Sequence, residues 1–344
     1  MTYVLIGASG HLGGTLISLL LAAGNPIRAF DFKFPKEKIE SPLLRYYLGD
    51  VTKPETLKET FSGLEPHSFC VIHLAALINI QANRPNPAML SVNVEGVKNV
   101  FREFEEKRGA RFIYVSSVDA FLQTRSLVNE ASPLVSDFEH AAGYPATKAM
   151  ATDFIKEKIQ SGADAVVVYP AGIIGPGDDG HNHLVQLLRD YLLGKIPGVV
   201  PQGYDIVDVR DVAQAMITLA EGEKKGDSFI LSGHEISLKN FLLLAKKWNG
   251  GKGRHVAVFP FFLAYLGLPF IKLSAKITHT RPLYTRFAIS VIRHANSFDR
   301  TAAKKAFDYN PRSLEESVKD TLDYLREKTG LPPKRKSLLS GRFC

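Results

Sequence analysis

Thr2-Tyr3-Val4-Leu5-Ile6-Gly7-Ala8-Ser9-Gly10-His11-Leu12-Gly13 runs from an apolar stretch through a glycine-rich turn into a helical pattern. Glycines at a strand-to-helix turn let the backbone fold back tightly and let a pyrophosphate approach the helix N-terminus. The spacing is G-x-x-G-x-x-G, a variant of the G-x-G-x-x-G dinucleotide fingerprint. The next apolar run, Ile27–Phe30, ends in Asp31. A carboxylate there can accept both hydroxyls of an adenosine ribose and repels a 2′-phosphate, so NAD is the expected cofactor. Lys33 and Lys36 follow closely and leave NADP open.

Outward from this unit, short β-rich runs alternate with helical periodicity. Strands are predicted at Tyr3–Ile6, Ile27–Phe30, Arg45–Leu48, Cys70–Leu74, Arg111–Val115 and Ala165–Tyr169. Helices are predicted over Ala88–Lys107 and Thr147–Gln160, and Thr52-x-x-Glu55 and Ser313-x-x-Glu316 have the capping-box pattern. Such alternation implies an α/β Rossmann-type fold, a doubly wound parallel sheet. A smaller, mainly helical C-terminal substrate lobe is expected beside it. Residues 1–169, completed by 205–235, are assigned to the nucleotide domain, 170–204 and 236–330 to the lobe, and 331–344 to a basic tail.

The 344 residues are 45% hydrophobic and 23% charged, which excludes a disordered chain and a polytopic membrane protein. Two cysteines, Cys70 and Cys344, allow no disulfide framework or Cys-rich metal site, and no metal is expected. Met1 leads directly into the first apolar run without a targeting pattern, so a cytoplasmic location is the expectation. The positive charge is local. Ten of the 43 bases and none of the 35 acids lie between Ile236 and Phe298, so the rest of the chain is slightly acidic. This argues against a general nucleic-acid surface and for a local anionic partner. Within that segment Val256–Ile271 is uncharged and holds Phe259, Phe261, Phe262 and Phe270. It is shorter than a bilayer span, and it reads either as a pocket wall or as a surface that docks on an anionic membrane.

Tyr144-Pro145-Ala146-Thr147-Lys148 places a phenol and an ammonium one helical turn apart, on one face. A free phenol is a poor base near neutrality, and a nearby ammonium favours its ionised form. Phe112-Ile113-Tyr114-Val115-Ser116-Ser117 is a buried strand ending in hydroxyls, at a spacing that suits a shared site with this pair.

The chain resembles the extended short-chain dehydrogenases/reductases, the NAD-dependent epimerase/dehydratase superfamily, from Thr2 to about Leu325. The similarity rests on the glycine loop, Asp31, Leu48-Gly49-Asp50-Val51, His73-Leu74-Ala75-Ala76, Asn93-Val94-Glu95-Gly96, Val115-Ser116-Ser117, Tyr144-x-x-x-Lys148 and Pro170-Ala171-Gly172. The resemblance implies Tyr144 as acid/base, Lys148 as ribose ligand and tuner of the tyrosine, and Ser117 as the group that orients the substrate oxygen. It implies that Gly7, Ser9, Gly10, His11, Leu12 and Gly13 cradle the dinucleotide and that Asp31 meets its ribose. Asp50 and Val51 cover the adenine, and Leu74, Ala75 and Ala76 line the cleft. Pro170, Gly172 and Ile173 complete the cofactor set with Tyr144 and Lys148. Asn93 is expected to brace the sheet.

Within the superfamily the chain is similar to dihydroflavonol reductases and 3β-hydroxysteroid dehydrogenases, through Val207–Ala213, Tyr169–Asp178 and Tyr309–Glu316. Val118 stands where sugar dehydratases carry an acid, which disfavours dehydration, and Asp119 is either a loop carboxylate or a substrate-site group. The expected activity is therefore interconversion of a secondary alcohol and a ketone on an apolar, sterol- or flavonoid-like small molecule. The alternative is a nucleotide-sugar 4-epimerase using the same triad, with the basic segment holding a diphosphate. A dinucleotide-sensing regulator would have no need of the Ser-Tyr-Lys set. A homodimer is left open.

Overall fold

In the computed structural model the first apolar runs become strands of one sheet because each is short, β-branched or aromatic, and punctuated by glycine or a helical stretch. The structure describes the chain apart from residues 35–37, 80–81, 83, 124–125, 139–140, 179–181, 197, 223–225, 250–254, 278–283, 294–296 and 330–344, and five side chains inside helices. Lys36, Lys252, Arg254, Arg281, the side chain of Lys272 and the basic tail 331–344 therefore lie outside the described residues.

The chain opens with β1 (Thr2–Ile6), α1 (His11–Ala22), β2 (Ile27–Asp31), β3 (Leu44–Leu48), α2 (Lys58–Phe61), β4 (Phe69–His73), α3 (Pro87–Leu90) and α4 (Gly96–Glu106). It continues through β5 (Arg111–Val115), β6 (Leu127–Val128), α5 (Gly143–Gln160), β7 (Ala165–Pro170), β8 (Gly172–Ile174), α6 (His183–Leu192), β9 (Gly198–Val199), β10 (Gly203–Asp208) and α7 (Val209–Glu221). The last part comprises β11 (Ser228–Leu231), β12 (His234–Ser237), α8 (Leu238–Trp248), β13 (Ala257–Val258), α9 (Phe261–Ile277), α10 (Arg286–Arg293), β14 (Ser297–Phe298), α11 (Thr301–Phe307) and α12 (Leu314–Thr329).

Two compact units result. The first holds Met1–Ala171, Val209–Ser232 and Asn296–Pro311. Its sheet is parallel throughout, in the order β11-β7-β5-β4-β1-β2-β3. The order reverses between β1 and β4, and in open α/β sheets ligands bind outside the carboxyl ends of strands at such a switch point. Register places Ile6 beside both Phe30 and His73, so the glycine loop, Asp31 and Leu74 leave the sheet together. One face is packed with rings, including Phe69, Phe101, Phe104, Phe112, Tyr114 and Tyr169, all buried.

The second unit holds Gly172–Asp208, Gly233–Ala295 and Arg312–Cys344. In it β10 pairs with β8 in parallel and β12 antiparallel. Its core gathers Leu184, Leu188 and Tyr191 of α6, Phe241 and Leu242 of α8, and Val318, Leu322 and Leu325 of α12.

Four expectations are corrected. The segment 236–330 is not one continuous lobe, because Asn296–Pro311 belongs to the first unit. There β14 pairs with β6, and Phe307 of α11 meets Phe229 of β11 edge-on at 5.2 Å. Conversely β10 leaves the nucleotide unit, because its ladders run to β8 and β12. Thr52 caps no helix: its hydroxyl donates to Asp50 Oδ1 at 2.8 Å, the short turn Pro54–Thr56 starts after Lys53, and α2 starts after Leu57. The helix expected from Thr147 begins at Gly143, which puts Tyr144 in its first turn. Ser313 does cap α12, accepting from the Glu316 N–H at 3.3 Å, while the Glu316 carboxylate pairs with Arg312.

Candidate active site

The glycine loop is held by backbone contacts that other residues would break. Gly7 N donates to Phe30 O at 2.9 Å, and Ala75 N donates to Ile6 O at 2.9 Å. Gly7 has φ +90°, and a Cβ there would lie 2.6 Å from Ala75 N. A Cβ on Gly13 would lie 2.5 Å from Ala8 O, so α1 packs directly on the loop. Gly10 differs. Its nearest contact for a Cβ is Gly7 O at 3.6 Å, so the protein itself leaves room there. Gly10 caps α1 without a side-chain hydrogen bond, and His11 and Leu12 form the first turn. These features fit a dinucleotide: an unblocked helix N-terminus, a close backbone turn and an acid at the end of β2.

Asp31 is nearly buried. Its carboxylate accepts from Ser9 N at 2.9 Å and from Phe32 N at 2.8 Å, and the Ser9 hydroxyl donates to Lys33 O at 2.7 Å. Burial pushes its pKa up, opposed by these hydrogen bonds. Asp31 thus clamps the glycine loop to β2, a structural task that the sequence did not signal. Asp50 Oδ1 accepts from both Thr52 donors, and Val51 is buried against Gly96, where a Cβ would meet Val51 Cγ2 at 2.7 Å. Leu74, Ala75 and Ala76 are half-buried after β4.

Pro170 ends β7, while Gly172 and Ile173 belong to β8 of the second unit, paired with Ile206 and Val207. A Cβ on Gly172 would lie 2.7 Å from Leu184 Cδ1, so packing under α6 alone requires glycine at that position.

Ser117, Tyr144 and Lys148 converge at the C-terminal end of β5. The two serines there part company. Ser116 is buried and hydrogen-bonded to Thr152 Oγ1 of α5 at 2.7 Å, while Ser117 is half-exposed and accepts from Asp119 N at 3.1 Å. The Ser117 hydroxyl lies within reach of the Tyr144 phenol and the Asp119 carboxylate and influences the ionisation of both. Lys148 is buried, donates from Nζ to Val115 O at 2.7 Å, and lies 5.1 Å from the centre of the Tyr114 ring. Asn93 accepts from Leu77 N at 2.6 Å and donates to Thr147 Oγ1 at 3.0 Å, so it ties the loop after β4 to α5.

The electrostatics depart from expectation. Burial and the neighbouring Asp119 charge raise the pKa of the Tyr144 phenol, against the hydrogen bond from Ser117. Burial pushes Lys148 down to about 7 and Asp119 up to about 6. The Lys148 Nζ is engaged by the Val115 carbonyl, and desolvation weakens its charge. His73, behind the pair, is kept neutral by burial and by the Lys148 charge, at about 3. Asp119, Tyr114 and the Val115 carbonyl are the site neighbours that spacing alone did not assign. The Ser-x-acid pattern was the one available signal.

Residues 3–231 match the family described as NAD dependent epimerase/dehydratase. The chain belongs to that family. It is an NAD-dependent enzyme of the extended short-chain dehydrogenase/reductase type, alongside sterol dehydrogenases and dihydroflavonol reductase-like proteins. It is 24% identical over 331 residues to sterol demethylase protein B of Methylococcus capsulatus, covering 95% of this chain and 99% of that protein. It is 26% identical over 353 residues to the decarboxylating sterol-4-alpha-carboxylate 3-dehydrogenase of Saccharomyces cerevisiae, covering 94% and 97%. The UDP-glucose 4-epimerase of Thermotoga maritima has the same fold, with a TM-score of 0.76 at 19% identity over 96% of this chain and all of that one.

Proposed function

We propose that this family member interconverts a secondary alcohol and a ketone on an apolar, alicyclic substrate of the sterol class, with Ser117, Tyr144 and Lys148 as its catalytic set. The carrying observation is the convergence of Tyr144 and Ser117 at the end of β5, with Lys148, one helical turn on from Tyr144, anchored on Val115 O at 2.7 Å. The sterol class is supported by the names of relatives that align over nearly the whole chain and by the abundance of Phe, Leu and Ile in the second unit.

NAD, when bound, supplies the hydride acceptor or donor. The chain's own residues do the rest. The first turn of α1 offers backbone N–H groups to the pyrophosphate, with room left beside Gly10, and Asp31 accepts from the adenosine ribose. The Ser117 hydroxyl orients the substrate oxygen, and the Tyr144 phenol gives a proton to it or takes one from it. Because burial and Asp119 hold the phenol protonated, ketone reduction is served at neutral pH. Alcohol oxidation needs the phenolate and gains as pH rises.

The sign is testable through Asp119. Asp119→Asn removes a negative charge that opposes phenol ionisation, so the rising limb of the oxidation pH–rate profile moves to lower pH. A limb that stays in place or moves up contradicts the coupling. At the other end of the cleft, Asp31→Ala relaxes the preference for NAD over NADP and also loosens the loop that Ser9 N anchors. Comparing kcat/KM with the two cofactors checks this. A wild type that already prefers NADP contradicts the assignment of Asp31 and leaves Lys33 in control.

A screen of 3-hydroxysterols, flavonoids and nucleotide sugars, followed by NADH absorbance and by product analysis, tests the substrate class. NADH formed with sterols supports the proposal. Interconversion of nucleotide sugars by protein that purifies with tightly held NAD would favour the epimerase reading.

A further inference from the structure

The 17-residue helix α9 is largely apolar, with Lys272 and Lys276 as its charges, and among its described side chains those of one side pack on the fold. Phe261 and Ala264 pack on the core of the second unit, and Leu268 is buried. The opposite side carries Phe262, Leu266, Phe270, Leu273 and Ile277, which are 57–75% exposed. Their spacing of four, four, three and four residues makes one stripe along the helix, about 22 Å long at 1.5 Å per residue. Leu263 and the preceding Val258 and Phe259 widen it, each about two-fifths exposed. Single exposed apolar residues are ordinary, but a contiguous stripe marks an interaction surface.

The surroundings are cationic. The sequence has no acid between Glu235 and Asp299. Lys276 is exposed in the last turn of α9. Helix α10 packs against α9, buries Ala288, Ile289 and Ile292, and turns Arg286 and Arg293 to solvent. Arg293 also lies over the Phe261 ring, 5.9 Å from its centre.

We propose that the outer stripe of α9, with Lys276, Arg286 and Arg293, docks in the interface of an anionic lipid bilayer, the helix lying in the membrane plane. Apolar side chains enter the acyl boundary while the bases meet lipid phosphates. Charge complementarity selects this occupant. A second copy would bring like charges together, with no acid in the segment to offset them. Spanning is ruled out by geometry, because among the described residues no helix is long and apolar enough to cross a membrane.

Cosedimentation of the full chain with phosphatidylcholine vesicles, alone or mixed with phosphatidylglycerol, at low and high salt, tests the proposal. Binding is expected to the mixed vesicles, weaker at high salt and weakest without the anionic lipid. Each base lost lowers partitioning about fivefold, so K276Q/R286Q/R293Q loses about a hundredfold. The variant F262S/L266S/F270S loses binding at both salts. Circular dichroism and thermal melting establish that the variants fold. Should the triple variants misfold, Phe270→Ser alone, at the most exposed position of the stripe, must weaken binding. Negligible binding to both vesicle types, or equal binding to both, overturns the proposal. So does a wild-type dimer that the stripe variant dissociates while neither protein binds vesicles.

Discussion

Tyr144→Phe lowers turnover by about a hundredfold to ten-thousandfold, the usual cost of losing one acid/base group, while NAD affinity stays near that of the wild type. In the proposed mechanism the phenol oxygen contributes the proton, whereas the ring fills a nearly buried position that phenylalanine fills equally well. The fold is therefore expected to survive, and a melting curve separates lost chemistry from lost structure. Single-turnover measurements in both directions, with cofactor titration followed by fluorescence, provide the check. Near-wild-type turnover would remove Tyr144 from the proton-transfer step and leave Ser117 or Asp119 to carry it.

Gly7→Ala destabilises the protein by about 2–4 kcal/mol, because the residue sits in a left-handed conformation and its Cβ would strike backbone rather than a yielding side chain. The atoms it meets, Ala75 N and Cα, belong to the loop after β4, so any relief shifts the two segments that flank the switch point. Gly10→Ala is the control. Its Cβ has 3.6 Å to the nearest atom, so stability stays within about half a kcal/mol of the wild type while NAD affinity falls. Denaturant melts and cofactor titrations of the two variants give opposite patterns if Gly7 serves the loop and Gly10 serves the ligand. Equal loss of stability in both would contradict that division.

The architecture of the nucleotide unit was legible because its signals are local. Strands β1, β2 and β5 lie within a residue or two of their predicted bounds, since a short apolar run between a glycine turn and a helical period admits few other conformations. The same holds for the placement of Tyr144 and Lys148 on one face, which depends only on a helical repeat. Helix boundaries were less legible. The start of α5 at Gly143 precedes the periodic region, and the helix enters without a side-chain cap. The lobe assignment failed at Asn296–Pro311 for a different reason: a two-residue strand such as β14 has no pattern of its own and acquires its identity from pairing with β6.

What the sequence alone determined is the parallel sheet, which follows from the local alternation of strand and helix patterns, and the family, through the ordered motifs that resemble it. What only the tertiary structure decided is how each group is engaged. Asp31 shares its carboxylate with the Ser9 N–H, Lys148 is drawn onto the Val115 carbonyl, and Asp119 stands close enough to raise the phenol's pKa. The outward stripe of α9 belongs in the same class. A helix whose apolar residues run through most of its turns carries no periodic mark of which face is buried, so packing against the core, and not composition, exposed Phe262, Leu266 and Phe270. Side-chain partners and burial are set by contacts between residues distant in sequence, and the local period of a chain does not encode them.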